Sequence, residues 1–137
     1  MKTLLIVTAF VIVSCNSNSN SPIAPSYQDA KMTLKEKEEA NPVQFIKAEG
    51  TYRRNLINQW VMEGKVTNTA SVAVYKDVVI KFSFYSKTQT EIGSEQKVFY
   101  DYFKPNESKD FKVKSNGFDG TESVGFTVIK ATSTNLP

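Results

Sequence analysis

The one side chain whose covalent chemistry this sequence identifies is a thiol. The 137 residues of the chain include a single cysteine, Cys15, and no histidine. Histidine is the commonest general base, the commonest zinc ligand and the usual activator of a serine or cysteine nucleophile. One cysteine also excludes a disulfide within the chain. These observations predict a protein that is not an enzyme and that uses no cofactor and no metal.

Cys15 follows a short apolar segment at the start of the chain. Lys2 supplies a positive charge, and residues 4–13 are apolar except for Thr8. A signal peptide has an apolar region of about 7–15 residues, whereas a helix that spans a bilayer needs about 20. We therefore interpret residues 1–14 as a signal peptide.

The residues Ile12-Val13-Ser14-Cys15 resemble the lipobox of bacterial lipoproteins. The resemblance implies cleavage before Cys15, a diacylglycerol on its sulfur and acylation of its new amino group. Each buried methylene contributes about 0.8 kcal/mol, so two or three chains form a stable membrane anchor. The alternative is an ordinary secretory leader in which the cysteine has no role.

The residues after Cys15 predict where the protein is held. The run from Asn16 to Pro22 has short polar side chains, a composition typical of a flexible tether. Position 16 is Asn and not the Asp that marks inner-membrane retention in this class of signal. We expect a lipid-anchored envelope protein at the periplasmic face of the outer membrane.

A short helix is predicted over residues 33–40. Thr33 and Glu36 have the spacing of a capping box, and Pro42 disfavours a helical Asn41. Because lysines alternate with the glutamates, Glu38 and its neighbours are predicted to form a solvated face. The helix is expected to contact the domain through its few apolar side chains, Met32, Leu34 and Ala40.

From Val43 onwards the hydrophobic pattern has the period of two that is typical of β-strands. The first strand is predicted to open at Val43 and to end near Gly50, and the last to end at Thr132. The inward faces of the later strands are predicted as Trp60, Met62, Gly64 and Val66; Val78, Ile80, Phe82 and Phe84; Ile92, Val98 and Tyr100; Phe111 and Val113; and Val124, Phe126 and Val128.

Six or seven strands without intervening helices predict an all-β fold. We expect an immunoglobulin-like two-sheet antiparallel sandwich over residues 43–133, preceded by residues 15–42 as lipidated Cys15, tether and short helix. A small closed barrel is the alternative fold.

Four segments of this domain resemble the FxLYD group of bacterial envelope domains. They are Val61 to Ala70, Tyr75 to Val78, Phe82 to Tyr85 and Phe103 to Phe111. The resemblance implies an immunoglobulin-like sandwich, often on a lipid anchor, with no established activity. The chain departs from the commoner form of the group at Tyr75-Lys76-Asp77, where an apolar residue often precedes the aspartate.

Three polar or small residues have predicted structural roles. Gly64 lies within a strand, which predicts a bulge or a close approach of two backbones. Asn68 is expected to close its strand with an Asx-type turn, and Asp77 to hydrogen-bond the backbone of a loop.

Aromatic residues are the candidates for a binding surface. The chain has nine Phe, six Tyr and one Trp, and exposed aromatic side chains can mark contacts with glycans or proteins. Phe99, Tyr102 and Phe103 are the predicted partner contacts, although such rings equally pack beneath loops. Charges of both signs alternate along the chain, which disfavours nucleic-acid binding. We expect a non-enzymatic binding or structural module for an envelope protein partner; the alternative is a small periplasmic hydrolase or a glycan-binding protein.

Overall fold

The computed structural model describes residues 32–136, which form two short helices followed by six strands. The predicted signal peptide, Cys15 and the tether lie outside the described residues. The helices are α1 (Leu34–Ala40) and α2 (Pro42–Phe45). The strands are β1 (Ile46–Arg54), β2 (Trp60–Asn68), β3 (Val74–Tyr85), β4 (Glu91–Phe103), β5 (Ser108–Ser115) and β6 (Ser123–Thr134).

The six strands form two antiparallel three-stranded sheets. The first has the order β1-β2-β5 and the second the order β4-β3-β6. The two sheets pack face to face around one core, which is the arrangement of an antiparallel β-sandwich. The predicted all-β sandwich is therefore confirmed, and the closed barrel is not formed.

The core lies between the two sheets and is centred on aromatic rings. Phe82 lies 5.6 Å from Phe126 and 6.0 Å from Phe111, measured between ring centroids. Such edge-to-face contacts add about 0.5–1.5 kcal/mol to the burial of the rings. The inward faces predicted for β3, β5 and β6 are confirmed, because their apolar side chains line this core.

The first strand begins later than predicted. Residues Pro42–Phe45 form a helical turn, and β1 runs from Ile46 to Arg54. Proline suits the first position of a helix because its fixed φ is helical and its missing N–H would have no partner there. The prediction of a strand from Val43 to Gly50 was wrong for this reason, and the last strand likewise extends beyond Thr132 to Thr134.

The predicted inward face of β4 was also wrong. Val98 and Tyr100 are exposed, whereas Phe99 packs against Phe111 with 5.7 Å between ring centroids. The pairing of β3 with β4 slips by one residue beside Ile92, since Phe84 faces Gly93 but Tyr85 faces Glu91. An extra residue in a strand reverses the alternation beyond it, and hydrophobicity alone does not reveal such a slip.

Helix α1 is attached by a glutamate and not by apolar side chains. Its capping box between Thr33 and Glu36 is present as predicted. The side chain of Glu38, however, is 1% exposed, so the prediction that it is solvated was wrong. The predicted apolar contacts, Met32, Leu34 and Ala40, are exposed.

The carboxylate of Glu38 binds the backbone of the β2–β3 loop. It accepts hydrogen bonds from the N–H groups of Ser71, Val72 and Ala73 at 2.7, 2.9 and 2.8 Å. The Tyr75 hydroxyl donates to the Glu38 carbonyl oxygen at 2.8 Å. Burial and the nearby negative charge of Glu38 raise the pKa of Tyr75 to about 12, so its hydroxyl keeps its proton.

Gly64 and Asn68 have the roles predicted for them. A Cβ added to Gly64 would lie 2.0 Å from the Glu49 carbonyl oxygen, so β1 and β2 approach closely at this residue. The Asn68 Oδ1 accepts from the N–H of Ala70 at 2.8 Å, which closes an Asx turn after β2.

The two ends of the sandwich differ in what they carry. One end carries helix α1 and the β2–β3 loop, joined through Glu38. The other carries the turns that connect β1 to β2, β3 to β4 and β5 to β6. There the Arg54 side chain donates a hydrogen bond to the Thr121 carbonyl oxygen. The N–H of Glu122 donates to the Tyr85 carbonyl oxygen.

Candidate functional site

The three predicted partner contacts lie in different surroundings. Phe103 is 1% exposed and belongs to the core, so its ring has no surface to offer a partner. Phe99 is half-buried against Phe111. Tyr102 is exposed, and it is the one of the three whose side chain can reach a ligand freely.

Tyr102 lines a small surface groove with four neighbours from β3 and β4. The groove has a volume of about 230 Å³, and its other lining residues are Lys76, Asp77, Tyr100 and Asp101. We call it the Tyr100 groove. Tyr100 is 83% exposed, so a largely free aromatic ring stands beside two carboxylates. Sequence reasoning missed Tyr100 because it placed this residue on the inward face.

The backbone at the Tyr100 groove is irregular on both sides of the central strand. Asp77 has a φ of 51°, in the left-handed region that residues other than glycine seldom adopt. The pairing of β3 with β4 and with β6 shifts at this residue, and Tyr100 and Asp101 together oppose it. Strain of this kind costs about 1–3 kcal/mol and concentrates at functional sites, and bulges re-aim side chains next to such sites.

The two carboxylates of the groove differ in their partners. Asp101 accepts hydrogen bonds from the Lys109 ammonium and from the N–H of Tyr102. The Lys109 hydrogen bond is the main cause that lowers the pKa of Asp101. The Asp77 carboxylate accepts no hydrogen bond from any residue of the described chain, so its predicted bond to a loop backbone was wrong. The groove therefore holds one engaged carboxylate and one that is available.

A second exposed feature is the turn between β1 and β2, which we call the hairpin tip (Asn55–Gln59). Leu56 is fully exposed and Ile57 is 73% exposed. Two neighbouring aliphatic side chains in water are unusual at the end of a well-ordered hairpin, where polar turn residues are the rule. The sequence signal for this feature is the apolar pair enclosed by asparagines in Asn55-Leu56-Ile57-Asn58, and sequence reasoning missed it.

The hairpin tip is held by its own hydrogen bonds. The Asn55 Oδ1 accepts from the N–H of Ile57 at 3.1 Å and from the N–H of Gln59 at 2.8 Å. The N–H of Asn58 donates to the Asn55 carbonyl at 3.0 Å. These bonds fix the turn, so Leu56 projects from an ordered support.

An arginine and a tryptophan support the base of the tip. The guanidinium of Arg54 lies 4.6 Å from the centroid of the Trp60 ring and donates to the Asn58 Oδ1 at 2.9 Å. Tyr52 also packs edge-on against Trp60, with 5.7 Å between centroids. Trp60 itself is buried, so its indole ties the tip to the core.

The outer face of the first sheet carries a broad open groove lined by charged side chains of both signs, Glu49, Lys65 and Asp110 among them. It has a volume of about 780 Å³ and lies over Gly50 and Gly64. Glu63 stands beside it and is paired with Lys112 at 3.2 Å and with Arg53 at 3.0 Å. These cations, Lys112 foremost, lower the pKa of Glu63, and the three charges satisfy one another.

Residues 32–136 contain neither a metal-binding cluster nor a helix that could span a membrane. No group of three or more carboxylate, cysteine or histidine side chains there is arranged to hold a metal ion. No helix of that part is long and apolar enough to cross a bilayer. Comparisons of the chain with protein-family models, with curated proteins and with solved structures found no match. The resemblance to the FxLYD group stays a prediction.

Proposed function

We propose that this protein is a non-enzymatic binding module of the bacterial envelope that holds a protein partner at its hairpin tip. In this proposal a lipid on Cys15 anchors the chain at the periplasmic face of the outer membrane, and the sandwich presents the tip to the partner. The observation that carries the proposal is the ordered turn that projects Leu56 and Ile57 into water.

Burial of the tip would supply the binding free energy. Complete burial of a Leu or Ile side chain contributes about 1.5–3 kcal/mol. Since the Asn55 side chain already orders the turn, little conformational entropy is lost when a partner covers it. A few fully buried side chains carry most of the affinity of a protein interface, so the partner must offer a pocket that covers both residues.

The position of the tip favours a protein partner over the anchoring membrane. Strand β1 has nine residues, and a strand rises about 3.3 Å per residue. The tip therefore lies about 30 Å from the end of the sandwich that carries α1, which is the side of the chain leading to Cys15. The tip and the point where the tether enters the domain are therefore at opposite ends of the sandwich.

We expect replacement of Leu56 and Ile57 by serine to weaken partner binding at least tenfold, with the fold intact. A photo-reactive amino acid at position 56 is expected to capture one protein in living cells, identified by mass spectrometry. Purified unmodified chain should compete with that capture, whereas the double serine variant should not. Val98→Ser removes a partly exposed aliphatic side chain elsewhere and serves as the control. Equal capture from a photo-reactive amino acid at position 98, or competition by the double variant, would contradict the proposal.

The anchor is tested separately by Cys15→Ser. We expect this variant to leave the membrane fraction and the mature wild-type chain to carry acyl groups on Cys15, because no other thiol is present. Fractionation and intact-mass spectrometry measure these outcomes. Ser17→Ala, a substitution two residues after Cys15, is the matched control. A wild-type chain cleaved elsewhere and without lipid would show an ordinary secretory leader.

A further inference from the structure

We propose that the Tyr100 groove binds a single pyranose ring of glucose configuration, as glucose or N-acetylglucosamine within a neutral oligosaccharide. The groove lies between strands β3 and β4 and does not include the hairpin tip. This binding site is therefore independent of the protein contact proposed above.

The aromatic rings of the groove fit one face of a sugar. Tyr100 is 83% exposed and Tyr102 is partly exposed on the same strand. A pyranose whose hydroxyl groups are equatorial has a flat face of C–H groups, and these carry a small positive charge. The face of an aromatic ring is negative, so the two surfaces attract each other while both leave water.

The available carboxylate fits the rim of the same sugar. An ionised Asp accepts hydrogen bonds at two oxygens, and two neighbouring sugar hydroxyls can donate to one carboxylate. Asp77 lines the groove and accepts no hydrogen bond from residues 32–136. Hydrogen bonds to a charged acceptor are about twice as strong as neutral ones. The Asp77 carboxylate would therefore bind the sugar hydroxyls strongly.

The charges of the groove favour a neutral ligand. Asp101 is neutralised by Lys109, and Lys76 lies beside Asp77 in the lining. One cation and one anion therefore remain free to face the ligand, so neither an acidic nor a basic sugar has an advantage. A groove of about 230 Å³ is below the usual range of about 300–1,000 Å³ for ligand pockets, a size that suits one ring.

The strained backbone explains why Asp77 is held here. A left-handed residue in the central strand produces the register shift that places Tyr100 and Asp101 opposite it. Glycine would adopt this conformation at lower cost. Residue 77 therefore combines a strained backbone with a carboxylate that makes no contact needed by the fold. A contact between this carboxylate and a ligand accounts for both observations.

The test is a titration of the full-length chain, labelled with ¹⁵N, with chitotriose and with cellotriose. We expect shifts of the amide resonances of Asp77, Tyr100 and Tyr102 that saturate in the millimolar range for at least one of these sugars. Mannitol, which has hydroxyls but no ring face, is expected to cause none. Absence of saturable shifts with both sugars would overturn the proposal, and so would equal shifts with mannitol.

Variants separate this site from its structural alternative. Tyr100→Ala is expected to weaken binding at least tenfold without a change in melting temperature, since its ring is exposed. Asp77→Gly is expected to melt at the same or a higher temperature and yet to bind at least fivefold more weakly. Unchanged binding in either variant would refute the assigned contact. Leu56→Ser/Ile57→Ser should bind the sugar normally. Failure of the sugar proposal and failure of the proposed protein contact are therefore distinguishable.

Discussion

Replacing Glu38 by glutamine is expected to lower the free energy of unfolding by about 3 kcal/mol at pH 7. The ionised carboxylate accepts from the N–H groups of Ser71, Val72 and Ala73. Hydrogen bonds to a charged group contribute about 1.5–3 kcal/mol, and a buried donor left without a partner costs about 1–3 kcal/mol. An amide keeps one acceptor oxygen and points its NH₂ group at donors, so part of the β2–β3 loop loses its partner.

The effect of Glu38 is expected to depend on pH with a definite sign. Burial raises the pKa of this carboxyl, but the three backbone hydrogen bonds together lower it more, so its pKa lies below the ordinary value. A group whose pKa is lower in the folded state stabilises the fold above its unfolded pKa of about 4.3. That contribution is lost as the pH falls through the folded pKa. The difference between wild type and Glu38→Gln should therefore be largest at pH 7 and shrink below about pH 4.

Thermal unfolding followed by circular dichroism measures both parts of this prediction. A loss of about 3 kcal/mol corresponds to roughly 10–20 °C in melting temperature for a domain of this size. Glu39→Gln is the matched control, because Glu39 is on the same helix and makes only a partly exposed ion pair with Lys35. A difference that does not change between pH 7 and pH 3 would mean that the charge of Glu38 is not the cause.

Replacing Gly64 by valine is expected to destabilise the domain by about 3 kcal/mol or more. Its Cβ would lie 2.0 Å from the Glu49 carbonyl oxygen and 2.6 Å from the Gly50 Cα. Both obstacles are backbone atoms of β1, so no side chain can turn away and the two strands must separate. Overpacking that moves backbone costs typically about 1–3 kcal/mol and sometimes more.

Urea unfolding of Gly64→Val measures this cost. Lys65→Val, on the exposed neighbouring residue of β2, introduces the same side chain without a clash and is expected to change stability by less than about 0.5 kcal/mol. If the two variants were equally stable, β1 and β2 would not approach as closely as the structure has them.

Most of the fold was predictable from the sequence because its inward faces follow a simple alternation. Phe82 and Phe111 are predicted in the core and lie there. The failures occur where geometry departs from a regular strand. The slip beside Ile92 exposes Val98, and Pro42 starts a helical turn in a segment whose composition suits a strand.

The candidate sites were less predictable because their defining features are relations between distant residues. Glu38 has the same type and local surroundings as its neighbours, and its burial depends on three N–H groups that follow 33–35 positions later. Phe103 belongs to the core and its neighbour Tyr102 is exposed, and the irregular pairing at Tyr100 and Asp101 hides from the sequence which of the two faces inward. Asp77 is recognisable only through its φ angle and the register shifts around it.

The attachment of helix α1 has a mechanical consequence. The chain that precedes Met32 leads into α1, and the main contacts of this helix run from Glu38 to the β2–β3 loop and to Tyr75 of β3. A pulling force applied from the N-terminal side would therefore reach the central strand of the second sheet before it peeled β1 from β2. Three hydrogen bonds that end on one carboxylate must break nearly together, so the domain should resist such a force up to a sharp threshold rather than yield gradually.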